Sequence, residues 1–258
     1  MKQIITNKVF FYIYYIYQII LNIIFFISLI IPTLLLVGFS NRSKRSIIFA
    51  GIIKTFYPIF FKLIFLKLTL IDENNILNKN KLKSTLFISN HIHALDPFMI
   101  GQYLPKNTIW IAKNDILKYP IIGKILNFTG IMLWVDPKVK NFIKDLNKIS
   151  NSLKTNNNKP NIGCFPEGRV SKSKNIIPFK SGPFYLATKE KIPICLIYIE
   201  KNTKGLSINP FLLDPGEIIV HVIEIIETDK MIDKGIKELR KDIFERYKRI
   251  NHMKITNN

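Results

Sequence analysis

The apolar positions of the chain fall into two regimes. Residues 9–39, VFFYIYYIYQIILNIIFFISLIIPTLLLVGF, carry no charge. A helix needs about 20 apolar residues to cross a bilayer core. This run is longer, and Pro32 within it is placed to kink or break a helix. It is too long for the core of a cleaved signal peptide, and no small-residue cleavage site closes it. A membrane helix is therefore expected over residues 1–40. Arg42, Lys44 and Arg45 follow at once, against Lys2 and Lys8 before it. That bias favours a cytoplasmic position for the downstream chain. Residues 47–70 are apolar too, but Lys54, Lys62 and Lys67 interrupt them. The segment 41–75 is read as a basic-apolar helix. It can lie in the interface with lysine stems reaching phosphates, cross the membrane again, or pack on a domain.

From about residue 76 the period changes. Short apolar runs at 84–89, 107–112, 131–135, 161–165, 192–199 and 217–226 predict strands. Helical stretches are expected at about 95–103, 120–128, 138–154, 180–190 and 230–250. Strands alternating with helices predict an α/β domain over 76–258, with a central, mostly parallel sheet flanked by helices. Active sites of such sheets gather at the carboxyl ends of the strands.

Composition narrows the partners. The 258 residues carry 38 Lys and Arg against 18 Asp and Glu, a formal net charge of +20. Such a balance suits an anionic lipid surface, an acidic protein or nucleic acid. An AT-rich coding composition, visible in the abundance of Lys, Ile and Asn, is an alternative source of the excess. Nucleic acid is the poorest fit, because the charge is spread along the chain and the aromatics are mostly in the apolar N-terminal region. Cys164 and Cys195 each sit in an apolar run. Their spacing is neither that of a metal site nor that of a disulfide framework, and no metal or cofactor is expected.

Two segments carry candidate chemistry. In FISNHIHALDPF, 87–98, an apolar strand ends in Asn90 and His91, with Asp96 five places after the histidine. Imidazole titrates near neutral pH and can take a proton from an alcohol. A carboxylate on its other nitrogen would hold the tautomer and stabilise the imidazolium. His93 competes for the same role, and a surface histidine beside a helix-capping aspartate has the same spacing. In GCFPEGRVSKS, 163–173, a second strand runs into a turn shaped by Pro166 and Gly168. Glu167 and Arg169 flank that glycine, backbone N–H groups near it can face an anion, and Lys172 and Lys174 add charge. PFKSGPF, 178–184, then leads into a helix.

Taken in order, these segments resemble the glycerolipid acyltransferases, in particular the bacterial 1-acyl-glycerol-3-phosphate branch. Asn90, His91 and Asp96 match the first block, Asn-His-x4-Asp. IAKNDILKYPIIGKILNFTGIMLWVD, 111–136, matches the second, with Lys113, Pro120, Gly123, Gly130 and Asp136 in place. Phe165 to Gly168 match Phe-Pro-Glu-Gly, and Ile192–Pro193–Ile194 match the strand opened by proline. The resemblance implies His91 as general base and Asp96 as its orienting partner. It implies Lys113, Glu167, Gly168 and Arg169 as substrate-binding residues, with Glu167 holding either the 166–169 turn or the acceptor. Its reaction moves an acyl group from acyl carrier protein or coenzyme A to the sn-2 hydroxyl of lysophosphatidic acid, without an enzyme nucleophile. It further implies membrane lipids as surroundings, no nucleic acid partner, and a bacterial inner membrane with the catalytic domain on the cytoplasmic side. Two departures bear on the acceptor. Asp136 is followed by Pro137 and Lys138 instead of arginine. Arg169 and Val170 stand where the family has threonine and arginine. An acyltransferase for another lysophospholipid, such as lysophosphatidylethanolamine, and a non-catalytic lipid-binding module stay open.

Overall fold

The computed structural model describes residues 2–78, 84–136, 138–155, 159–171, 176–200, 213–228 and 235–256. The chain opens with α1 (Lys2–Pro32), α2 (Arg42–Leu63), β1 (Leu66–Ile71), β2 (Leu86–Ser89) and α3 (Asp96–Gly101). It continues through β3 (Thr108–Lys113), α4 (Ile122–Thr129), β4 (Met132–Val135), α5 (Val139–Thr155) and β5 (Asn161–Cys164). It closes with α6 (Gly182–Glu190), β6 (Ile194–Glu200), β7 (Gly216–Ile226) and α7 (Gly235–Thr256). A π-helical turn, Thr33–Val37, prolongs α1, and a 3-10 turn, Asn114–Lys118, precedes α4.

The strands form one seven-stranded sheet in the order β1-β7-β6-β2-β5-β3-β4. All neighbours pair in parallel except β6 with β7, so β1 and β7 run against the other five. Both faces are covered, which is why the central strands read as unbroken apolar runs. Alternate residues serve opposite layers. Phe87, Cys195, Ile197 and Ile199 face the layer that includes α2, α3 and α4. Leu86, Ile88, Ile194, Leu196 and Tyr198 face the layer of α5, α6 and α7. Tyr247 of α7 is fully buried there, and its hydroxyl lies 2.7 Å from both Ile88 O and Ile197 O, on neighbouring strands β2 and β6.

The expected α/β sheet is present, but the segment 41–75 is not one helix and not an appendage. Its helix stops at Leu63, and Leu66–Ile71 pair in register with Gly216–His221 as the edge of the sheet. Phe65 makes the corner with φ 58°. Phe60, Phe61 and Ile64 are buried in the domain core. The expected boundary between residues 75 and 76 therefore cuts through one packed unit. The lysines hid this: Lys62 is exposed and Lys54 half-buried on a helix whose other side is core, and Lys67 is exposed on the edge strand β1.

α1 and α2 are long and apolar enough to cross a membrane, over Phe10–Val37 and Lys44–Leu63. Pro32 does not end the first; the helix widens into the π turn just beyond it. α1 is nevertheless fastened to the domain by polar contacts. The Tyr14 hydroxyl donates 2.7 Å to Ile64 O, and that of Tyr17 donates 3.1 Å to Leu63 O, capping the end of α2. Gln18, buried, accepts from Leu213 N at 3.0 Å and donates to Leu213 O. Further along, Phe25 packs on Phe60 at 4.5 Å and on Tyr57 at 5.1 Å between ring centroids.

The shared Tyr247 hydroxyl generates a stability prediction. Tyr247→Phe removes the hydroxyl that ties α7 to carbonyls of both β2 and β6 while keeping its ring. The expected loss is about 0.5–1.5 kcal/mol, the net size of a typical hydrogen bond. Denaturant unfolding in detergent reads it.

Candidate active site

The carboxyl ends of β2, β5 and β3 build the site. β2 stops at Ser89, and Asn90 carries the pairing one step further. Its amide donates 3.0 Å to Ile199 O and accepts 2.7 Å from Ile199 N, imitating a strand residue with a side chain. The backbone is then free to turn away, and it delivers His91.

Asp96 opens α3 and is fully buried. One of its oxygens, Oδ2, accepts from Ile92 N at 2.7 Å and His93 N at 2.9 Å, and lies 2.8 Å from His91 Nδ1. A carboxylate facing Nδ1 assigns the proton to that nitrogen, which leaves the Nε2 lone pair as the basic end of the ring. The His91 side chain retains 16% exposure, so the ring edge is reachable. His93 does not compete. It is buried, and its Nδ1 accepts from Leu95 N at 3.1 Å within the same turn.

The plane of the His91 ring is set by aromatic packing. Phe165 stacks on it at 4.1 Å with 14° between planes, and Trp110 stacks behind Phe165 at 5.3 Å and 13°. Gly163 makes room for this pile: a Cβ there would lie 2.6 Å from the Trp110 ring. Neither Trp110 nor Gly163 carried a signal in the sequence, because both read as ordinary strand positions.

The turn after β5 crosses over to meet the histidine loop. Gly168 N donates 3.0 Å to Phe165 O, and Gly168 adopts φ +68°, a conformation that favours glycine. Its own N–H is thus used inside the turn. Glu167 was expected to hold this turn or the acceptor. Its carboxylate is buried and braces two loops: Oε1 accepts from His91 N at 2.9 Å and Oε2 from Ile177 N at 3.0 Å. Burial pushes its pKa up, while those two N–H donors pull it back toward the ionised form. Ser171 N donates 2.7 Å to His91 O and completes the seam.

Basic side chains rim the turn. Lys113, at the end of β3, is exposed, and its Cε comes within 4.0 Å of a Cβ built on Gly168; Lys180 Cγ comes within 3.6 Å. Arg169 is exposed. Lys180 lies in the PFKSGPF stretch, where no spacing or motif distinguishes that lysine from the others. Lys172 and Lys174 lie outside the described residues. Asp136, the last residue of the second block, accepts from Lys138 N at 2.9 Å and Asn141 Nδ2 at 2.8 Å, so it caps α5. Cys164 and Cys195 are buried in the sheet. Desolvation raises both thiol pKa values, that of Cys195 up to about 12, which keeps them unreactive.

An apolar groove of about 440 Å³ lies between α1, α2, α3 and the start of α4. Ile27 and Ile30, Phe49 and Tyr57, and Ile121 and Ile125 line it, as does Phe98, two residues beyond Asp96.

Comparison with known proteins places these features in a family. The family model described as Acyltransferase matches residues 71–200, half of the chain. The 1-acyl-sn-glycerol-3-phosphate acyltransferase of Saccharomyces cerevisiae is 27% identical over 192 residues, covering 74% of this chain and 61% of the yeast protein. The Haemophilus influenzae protein of the same name is 22% identical over 167 residues, covering 63% of this chain and 66% of its own length. The chain thus spans less than two thirds of these curated relatives. The crystal structure of the 1-acyl-sn-glycerophosphate acyltransferase PlsC from Thermotoga maritima superposes with a TM-score of 0.71 at 19% identity. It covers 93% of this chain and 97% of the other, which establishes a common fold.

The bracing role of Glu167 is separable from substrate contact. Glu167→Gln sets an amide NH2 against one of two backbone N–H donors. The variant should lose about 1–3 kcal/mol of stability, the penalty of one unsatisfied buried group. Unfolding measured without any substrate reads it; a residue that only touched substrate would show no change.

Proposed function

Because the chain belongs to the acyltransferase family, we propose that it transfers an acyl group from a thioester to the sn-2 hydroxyl of 1-acyl-glycerol-3-phosphate, giving phosphatidic acid. The observation that carries this reading is the His91–Asp96 pair at 2.8 Å, set beside an apolar groove and a rim of cations. The names of the relatives supply the acceptor.

In this mechanism His91 Nε2 takes the proton of the acceptor hydroxyl as its oxygen attacks the acyl carbonyl. Asp96 stabilises the imidazolium through Nδ1. The tetrahedral intermediate collapses, the carbon–sulfur bond breaks, and Nε2 returns the proton to the departing thiolate. No residue is acylated. The N–H groups of residues 91–93 are all spent on Glu167 and Asp96. Donors for the oxyanion therefore come from the facing turn, where the N–H groups of Glu167 and Arg169 are the candidates. Lys113, Lys180 and Arg169 bind the acceptor phosphate as a cluster; Arg169 alone among them can fork onto two oxygens. The acyl chain occupies the groove. The thioester is carried by acyl carrier protein or coenzyme A, both acidic partners for a basic surface. The apolar outer face of α1 rests in the bacterial inner membrane, with the site on the cytoplasmic side.

A panel of lysolipids crossed with acyl-carrier-protein and coenzyme A donors tests this function. Transfer to lysophosphatidic acid is expected. Exclusive transfer to lysophosphatidylethanolamine would assign the shifted arginine to another head group, and no transfer to any acceptor would leave a binding module. His91→Ala should lower kcat by about 10²–10⁴-fold with stability retained. His93→Ala should lower stability instead, because its ring is buried in the turn. Equal loss of turnover in two folded variants would mean that the base is misassigned. Arg169→Ala should raise KM for lysophosphatidic acid far more than for the donor, by about 10–100-fold if one charged hydrogen bond is lost. An unchanged KM would move the phosphate to Lys113 and Lys180.

A further inference from the structure

The loop between β3 and α4 is exposed, and it is apolar at its crest. Tyr119 is 55% exposed and Ile121 66%, with Leu117 and Phe128 also outward. Isolated exposed apolar residues need no explanation; a contiguous group does. This group is held rigidly. Gly123 packs so closely on the 3-10 turn that a Cβ would lie 2.8 Å from Ile116 O and 2.8 Å from Leu117 Cα. Gly123 N also donates 2.9 Å to Tyr119 O. Only glycine lets α4 press on that backbone and hold Tyr119 and Ile121 up.

Two features identify what the crest meets. Tyr119 and Ile121 line the apolar groove together with Ile23 and Ile27 of α1, and all four are exposed. Crest and outer face of α1 therefore meet along the groove as one apolar surface. Cations flank it. Lys118 and Lys124 are exposed, and the Arg45 guanidinium lies 4.4 Å over the Phe128 ring beside the turn between α1 and α2. Apolar tips with long basic side chains around them match the boundary between acyl chains and anionic head groups.

We propose that the crest Leu117–Ile121 is a second membrane contact, inserted into an anionic lipid leaflet beside α1. It gives the domain two separated points of attachment, which fixes its tilt as well as its depth. The inference rests on the membrane position given to α1 above and goes beyond it, because α1 alone leaves the whole molecule free to roll about the helix axis.

Probe depth tests it without any acyl donor or acceptor. Both native thiols are buried, so a maleimide fluorophore directs itself to an introduced cysteine. The full chain carrying Ile121→Cys is labelled and mixed with phosphatidylcholine–phosphatidylglycerol vesicles containing nitroxide-labelled lipids. Phe39→Cys, at the 90%-exposed position between α1 and α2, reports insertion of the helices, and Lys148→Cys on α5 reports the opposite layer. The probe at 121 should be quenched to a degree comparable with that at 39, and the probe at 148 should not. Adding Gly123→Ala should reduce quenching at 121 several-fold while leaving 39 unchanged. A probe at 121 that stays in water while 39 is quenched overturns the proposal. So does a probe at 121 shielded equally without lipid, which would mean that a second copy of the chain covers the crest. If 39 and 121 both stay unquenched, the membrane position of α1 falls too, and the acyl-transfer chemistry is untouched.

Discussion

One carboxylate oxygen orders the working edge of this molecule. Asp96 Oδ2 is buried and gathers the imidazole of His91 and the N–H groups of Ile92 and His93 within 2.7–2.9 Å. A buried charge left alone costs several kcal/mol, so the loop must bring donors to it. The conformation that brings these three groups to Oδ2 is the one that turns His91 Nδ1 toward Asp96 and leaves Nε2 as the free end of the ring. Loop geometry and proton chemistry are therefore the same set of bonds. Glu167 repeats the device from the facing loop: its two oxygens tie the β5 turn to His91 N and Ile177 N. Neither carboxylate needs to touch a substrate to decide where one can react.

Polar bonds alone would leave the imidazole free to tilt. The pile of Trp110, Phe165 and His91 removes that freedom with apolar contact. It also screens one face of the base from water without competing for its nitrogens. The arrangement depends on strand order. β5 lies between β2 and β3, so Gly163 can lie beneath Trp110 while the next turn reaches His91. The parallel pair β1 and β7, which runs against the other five strands, lies at the far edge, where it closes the sheet beneath α2 and supplies no group to the site.

Much of this was legible in the sequence because the informative residues are local. The spacing of His91 and Asp96 is the pitch of one tight loop, and the apolar runs mark the inner strands as buried on both faces. What was not legible depends on distant neighbours. Leu66–Ile71 is a strand only because Gly216–His221 pairs with it; by itself LKLTLI continues the apolar character of the helix before it. Glu167 carries the same carboxylate whether it binds a substrate or a backbone. Only the arrival of His91 N and Ile177 N decides between them. Trp110 has no polar atom at the site, so no pattern of chemistry could have chosen it.

The polar contacts of α1 have a practical consequence for handling this protein. An N-terminal apolar helix invites removal, as if it were a handle separate from the working domain. Here Tyr14, Tyr17 and Gln18 satisfy carbonyls at Leu63, Ile64 and Leu213, and Phe25 covers Tyr57 and Phe60. A truncated chain would bare both the ends of those segments and a ring cluster that belongs to the core. A foreign anchor grafted at residue 40 would restore attachment but none of these bonds. Solubilising this domain therefore calls for repainting the outward face of α1, at positions such as Ile13, Ile16 and Ile20, with the inward face left as it is.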